Sequence, residues 1–241
     1  MNGRVFLTDP WFASSGPAHH LFGRRIFPLP MSPESIDRCD AMLISHNHID
    51  HLSRHAFEIA RKNGSVMVGP SAVVKKARRR RISKVAELRP KESFAVSGVV
   101  ITGIPAAHPL TRRPVGFLLK GERTVYFSGD TRFEWAIVDH LRAARVDVAI
   151  LQVSCAFYPW LSGADGMDMN YAEELARAIR PRCVIPMHFD CAGKYLDIFR
   201  RIRVSGRNFE VEDALQRFAR RLSAYGIDCA ILYPGQTYES S

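Results

Sequence analysis

His46, His48, Asp50 and His51 fall within six residues of one another, in the segment Leu43-Ile-Ser-His-Asn-His-Ile-Asp-His-Leu52. Imidazole and carboxylate are the donors of Zn, Mn, Fe or Ni sites, and with no Cys beside them they do not describe a closed structural zinc site. Four donors packed this tightly cannot all reach one ion without strain, so two ions suit the spacing better. Alternate residues of such a turn point to the same side, so His46 and His48 can grip one ion while Asp50 and His51, emerging as a helix begins, reach another. A single histidine here would read as a solvated helix-start residue; three with an aspartate do not.

Two ions require about six to eight donors, and the elements that position the cluster indicate where the others lie. Asp40-Ala-Met-Leu-Ile-Ser45 is the nearly continuous apolar run of a strand buried on both faces. His108 ends the apolar stretch beginning at Val99, Asp130 ends Thr124-Val-Tyr-Phe-Ser-Gly, and His188 ends Cys183-Val-Ile-Pro-Met. Ligand-type residues thus recur where hydrophobic strands stop, the place at which alternating strand and helix folds carry their chemistry.

With these motifs in view, the chain resembles the metallo-β-lactamase superfamily of binuclear metal hydrolases from about Thr8 to about Thr237. It is most similar to the group containing ascorbate-6-phosphate lactonase and N-acylphosphatidylethanolamine phospholipase D. The matching segments are Thr8-Asp-Pro-Trp11, Ser45-His-Asn-His-Ile-Asp-His-Leu52, Pro105-Ala-Ala-His108 with Gly116-Phe117, Gly129-Asp-Thr131 and Ile185-Pro-Met-His188. The resemblance implies that His46, His48 and His108 hold one metal, that Asp50, His51 and His188 hold the other, and that Asp130 bridges them. The spacings agree, with 57 positions from His51 to His108, 22 on to Asp130 and 58 on to His188. One departure is that the family usually has a strand-turn-strand before the Asp-Pro segment, where only Met1 to Val5 stand here, which leaves the edge of the first sheet and any contact from that strand open.

The implied fold is an α/β sandwich of four layers, αββα, with two mixed sheets face to face and helices outside, in one domain spanning residues 1–241. The implied cofactors are two divalent ions, Zn2+ first and Mn2+ second. Two cations sharing a water lower its pKa from about 15.7 to about 7, so a bridging hydroxide would attack an ester or lactone, with an anionic group on the substrate as one option. Asp50 and Asp130 are the candidate catalytic carboxylates, Asp130 also as a proton carrier to the leaving group. Asp9 is a candidate partner for the outer nitrogen of a ligating histidine. Arg112, Arg113, Tyr158 and Trp160 are candidate substrate contacts, the arginines for an anion and the aromatics for an apolar arm. The segment from Trp11 to Pro30, with His19, His20, Arg24 and Arg25, is long enough to fold over the site.

Other classes fit less well. Phosphodiester cleavage of a lipid or nucleotide is the nearest alternative, because the same hydroxide attacks phosphorus. A nuclease of this superfamily normally carries an added domain, a di-iron redox member has Glu where His48 stands, and a non-catalytic module should have lost ligands.

Composition agrees with one enzyme-sized unit: 241 residues, 46% hydrophobic and 24% charged. No apolar stretch approaches the roughly 18 residues of a membrane span and no signal-peptide core opens the chain, so the expectation is a cytoplasmic protein without a transmembrane segment. Five cysteines without a C-x-x-C pair give no disulfide framework. The net charge of +10 sits largely in Lys75 to Arg81 and in Arg200 to Arg221. A basic helix run without interleaved aromatics reads as a solvated face, which disfavours nucleic acid; a milder attraction for anionic substrates or membrane surfaces is the preferred consequence, and a small-molecule substrate is the expected partner. Homo-oligomer formation is compatible with the chain.

Periodicity predicts strands at Arg4–Thr8, Ala41–Ser45, Ser65–Val68, Val99–Ile104, Val115–Lys120, Thr124–Ser128, Val146–Gln152, Cys183–Met187 and Asp228–Tyr233. It predicts helices at Ser53–Lys62, Ser71–Arg80, Glu134–Ala144, Tyr171–Arg180 and Glu210–Tyr225. Asn170 with Glu173 reads as a capping box for the fourth helix.

Overall fold

The computed structural model describes residues 1–12, 24–25, 27–109, 111–155, 157–158, 163–192 and 208–239. Its first sheet joins β1 (Phe6–Thr8), β3 (Ala41–Leu43), β4 (Val66–Gly69) and β5 (Val85–Glu87), all parallel. The second runs in the order β15 (Asp228–Cys229), β13 (Cys183–Met187), β10 (Val148–Gln152), β9 (Thr124–Phe127), β8 (Val115–Lys120), β7 (Val99–Pro105) and β6 (Ser93–Val96). It is parallel from β15 to β9 and antiparallel from there to β6, so only this sheet is mixed. Short pairs β11 (Phe157–Tyr158) with β12 (Gly163–Ala164) and β2 (Arg24–Arg25) with β14 (Cys191–Ala192) lie outside the two sheets.

Side chains alternate across each strand, and the alternation sorts them into layers. Ala41 and Leu43 of β3 and Val68 of β4 face Val99, Ile101, Phe117 and Phe127, forming the core between the sheets. Met42 and Met67 point the other way, onto Ala56, Phe57, Ile59 and Ala60 of α1 (Arg54–Asn63) and Val73 and Ala77 of α2 (Ser71–Arg79). On the far side, Leu118, Tyr126, Ala149 and Leu151 pack against α3 (Trp135–Leu141), α4 (Met169–Ile179) and α5 (Asn208–Ser223). The result is the expected αββα sandwich.

Local signals account for the helix ends. Ser53 caps α1 by accepting from Ala56 N–H, and Gly64 ends it in the left-handed region at φ 60°. The capping box expected at Asn170 is not the start of α4. Asp168 caps this helix, its carboxylate accepting from the backbone N–H of Asn170 and Tyr171 at 2.9 and 3.1 Å; a charged acceptor two residues earlier complements the helix dipole better than an amide does. The last strand is also shorter than expected, because only Asp228 and Cys229 pair with β13. Strands β5 and β6, absent from the periodicity reading, are short, and neither contains a buried residue.

All strands that precede proposed ligands run in one direction, so His46 after β3, His108 after β7, Asp130 after β9 and His188 after β13 arrive at one rim of the sandwich. Among the described residues no helix is long and apolar enough to cross a bilayer.

Candidate metal centre

Three loops and a turn bring the expected ligands together. The Nδ1 of His48 lies 3.2 Å from Nε2 of His108, and His46 completes a set whose ligand atoms are all within 4.8 Å of one another. Asp50, His51 and His188 form a second such set. Asp130 faces the second set, its Oδ2 lying 3.3 Å from His51 Nε2 and 3.5 Å from His188 Nε2, while Asp50 Oδ2 is 3.6 Å from His51 Nε2. Two donors bound to one tetrahedral ion at 2.0–2.1 Å stand about 3.3 Å apart, and the observed separations cluster around that value.

The donor atoms are presented with lone pairs forward. His51 Nδ1–H donates to Asp9 Oδ2 at 2.8 Å. Ser45 Oγ–H donates to the same carboxylate oxygen at 2.5 Å and accepts from His46 Nδ1–H at 2.9 Å, while Asp9 Oδ1 takes the Ser45 backbone N–H at 2.8 Å. His108 Nδ1–H donates to the carbonyl of Asp165 at 2.5 Å. In the neutral ring each bond selects the tautomer whose Nε2 carries the lone pair, the form in which histidine ligates a metal. The inner atoms then lack protein partners: His46 Nε2, His51 Nε2, Asp50 Oδ1 and Asp130 Oδ1 are all buried without a hydrogen bond. Orphaned buried acceptors are costly, and four of them converging in one place fit a cation. Asp9 also lies within reach of His46 and His51 as a third donor set, but its oxygens are occupied by Ser45 and His51, so it braces rather than ligates.

Electrostatics follow the same division. Burial, followed by the nearby His51, holds His46 well below the ordinary histidine range, and burial likewise lowers His108. Burial also opposes charge on His51, but Asp130, Asp50 and Asp9 outweigh it and raise His51 well above that range. Burial would raise Asp130; the adjacent His188 and His51 instead hold it well below the carboxylate range.

Backbone geometry makes the approach of these groups possible. Gly129 sits at φ 56°, and a Cβ there would lie 2.4 Å from the Ser45 Cβ, so only glycine lets the Asp130 loop close on the His46 strand. His188 and Asp9 hold φ values of 69° and 41°, unusual for residues with a side chain.

A cavity of about 270 Å³ opens beside the second set, bordered by Asp50, His51 and His188 and walled by Trp11, Phe127, Ile150 and Met187. Arg25 is at its edge, stacked 4.4 Å over the Trp11 ring and bonded to Asp190 and the Trp11 carbonyl. Arg113 instead borders a separate cavity of about 390 Å³ lined by Pro70, Leu88, Pro90, Pro105 and Pro114, and Arg112 is exposed. Trp160, His19 and His20 lie outside the described residues, as do the side chains of Arg24 and Tyr158.

Sequence reasoning assigned no role to Ser45, Thr131, Gln152 or the Asp165 carbonyl. Gln152, fully buried, accepts from the backbone N–H of Thr131 and Met167, and Thr131 Oγ1 accepts from Ala107 N–H, which ties the Asp130 and His108 loops together. A polar residue closing the apolar run Val148-Ala-Ile-Leu-Gln152 was a readable signal for Gln152; nothing in a sequence marks a carbonyl.

A family model described as the beta-lactamase superfamily domain matches residues 4–189. The chain belongs to the beta-lactamase superfamily. Within it, a UPF0173 metal-dependent hydrolase of Methanopyrus kandleri is 27% identical over 221 residues, covering 86% of this chain and 85% of the relative. A UPF0173 protein of Pyrococcus furiosus is 27% identical over 165 residues, 68% of this chain and 73% of its own length. Among solved structures, a metallo hydrolase from Ignicoccus hospitalis superposes with a TM-score of 0.74 at 20% identity, covering 100% of this chain and 93% of its own. An isothiocyanate hydrolase from Delia radicum gut bacteria gives 0.75 at 18%, covering 100% and 94%. At these identities the superpositions establish the fold, that of the metallo-β-lactamases.

Proposed function

We propose that this superfamily member is a binuclear metal hydrolase, in which His46, His48 and His108 hold one divalent ion, Asp50, His51 and His188 a second, and Asp130 stands between them. The carrying observation is the convergence of four buried, partnerless donor atoms on one space. Two Zn2+ or Mn2+ ions bound there would polarise the substrate oxygen and make a water nucleophilic at neutral pH. The chain's own residues do the rest. Asp9 and Ser45 orient His46 and His51, Asp165 orients His108, and Asp130 would help pass a proton to the leaving group. Trp11, Phe127, Ile150 and Met187 give a small substrate an apolar, water-poor wall next to the reacting position.

The substrate in this reading is a small ester or lactone with an anionic group toward Arg25, whose buried Nε has no hydrogen-bond partner. Support comes from the cavity's size and walls and from the lactonase-like motifs. A guanidinium would serve a phosphodiester equally, so phosphodiester cleavage is the second reading. Action as one domain of residues 1–241 in the cytoplasm belongs to the same proposal, as do substrate contacts by Arg112, Tyr158 and Trp160, whereas Arg113 borders the other cavity.

Elemental analysis of metal-supplemented protein should find close to two ions per chain, and less than half an ion would overturn the centre. A panel of lactones, nitrophenyl esters, bis-nitrophenyl phosphate and an isothiocyanate, run with Zn2+ or Mn2+, separates the chemistries. Carbonyl turnover abolished by His46→Ala is the expected result; turnover of the phosphodiester alone would replace the first reading by the second.

A further inference from the structure

The largest local excess of positive charge in this chain lies in one segment. Residues 54–84 hold ten Lys and Arg against one acid, Glu58, so nine of the ten net charges belong to 31 residues and the rest of the chain is nearly balanced. The segment spans α1, β4 and α2, and its cations are not spread evenly along it. Both helices end where strands of the first sheet begin: Gly64 leads into β4 and Arg81 into β5. Arg61, Arg78, Arg79, Arg80, Arg81 and Lys84 therefore gather at the strand-entry end of the sandwich, whereas His46, His108, Asp130 and His188 occupy the strand-exit rim. Lys84 ties the two helix ends together through its Nζ, which donates to the Gly64 carbonyl at 3.0 Å.

All six side chains are exposed, and none makes an ion pair with a carboxylate among the described residues. Asp37, at this same end, is already paired with Lys62 at 2.7 Å. Beside the cluster, burial and then the charge of Arg80 push Lys76 below the ordinary lysine range. An unneutralised cluster of this kind repels itself and costs stability unless an anion covers it.

The arrangement discriminates among polyanions. Successive residues on a helix diverge by 100°, so Arg78, Arg79 and Arg80 fan around the end of α2 instead of lining up, and Arg81, at φ 59°, turns the chain across that end. A disc of charge at the tip of a domain matches a plane better than it matches the linear track of a phosphodiester strand. The segment also exposes no large apolar side chain for insertion and no aromatic for base stacking.

We infer that the strand-entry end of this domain is an electrostatic docking surface for an anionic lipid membrane, held by charge without insertion. Docked this way, the metal-bearing rim faces away from the bilayer and takes substrate from the aqueous phase.

Co-sedimentation of the full chain with vesicles of equal parts phosphatidylcholine and phosphatidylglycerol tests this. Binding to these vesicles and not to pure phosphatidylcholine is expected, with release as salt rises from 0.1 M to 1 M and the Debye length falls from about 10 Å to about 3 Å. Combining Arg78→Gln, Arg79→Gln and Arg81→Gln should weaken binding about a hundredfold, whereas Arg112→Gln with Arg113→Gln, at the opposite rim, should leave it unchanged. Arg80 is retained because it stacks over Phe57; if the triple variant fails to fold, the salt titration and lipid comparison on the unaltered protein still decide. Equal binding to neutral vesicles, indifference of the folded triple variant, or release from vesicles by duplex DNA at equal phosphate concentration would each overturn the inference, the last in favour of a nucleic-acid surface.

Discussion

The two donor sets at the rim are built differently. His46, His48 and His108 are all imidazole, and His46 and His108 are sealed from solvent and kept neutral by burial. Asp50, His51 and His188 include a carboxylate, border the cavity, and leave the His188 side chain 31% exposed. In the proposed binuclear centre the first set would retain an ion and the second would share one with solvent and substrate, combining a structural-grade grip with an open coordination position.

The severest test is Asp130→Asn, which alters the group proposed to stand between the two sets. Loss of several kcal/mol of transition-state stabilisation corresponds to about a thousandfold or more in kcat/KM, measured on metal-supplemented protein. Leu43→Ala, in the core between the sheets, should lower stability by about 2–5 kcal/mol in denaturant unfolding while metal content stays at the unaltered level, which separates the scaffold from the centre. Asp9→Ala should reduce metal affinity or activity about 10–100-fold. It touches one histidine of each set, so both ions should be affected. Staged chelation sharpens the contrast: the ion held by Asp50, His51 and His188 should leave first, and His188→Ala protein should keep about one ion per chain by elemental analysis.

The smallest effect concerns pH in the metal-free protein. His51 is raised above its ordinary value of 6.5 in the fold, so its contribution to stability is complete below that value and is lost as pH climbs through the raised one. Asp130 is depressed, so its contribution is present above the ordinary carboxylate value of 3.8 and is lost only as pH falls through the depressed one. The melting temperature of chelator-treated protein should therefore decline on the alkaline side, and Asp130→Asn should flatten that decline.

The sequence disclosed the site more completely than the scaffold's edges. His46, His48, Asp50 and His51 are local, and His108, Asp130 and His188 each close an apolar run, so strand direction alone carries them to one rim. Asp9 was legible as a candidate partner for a ligating histidine, but its particular contacts to Ser45 and His51, 36 and 42 residues away, required the parallel pairing of β1 with β3. β5 and β6 escaped detection because half-buried three- and four-residue strands carry too little alternation to stand out. Asp168 was missed as a cap because Asn170 offered the same pattern two residues later. Arg113 followed His108 closely in sequence yet turned toward a different cavity, since φ 55° at that residue redirects the loop before β8.

The Asp9 carboxylate holds His51 directly and His46 through Ser45. One anchor serving both proposed coordination spheres would link their occupancies. An ion settling in either triad would stiffen the brace the other depends on, and by thermodynamic reciprocity each would raise the affinity for its neighbour by the same factor. Titration with metal would then rise more steeply than independent binding allows, and severing the Ser45 relay would return the two sites to separate, independent titrations.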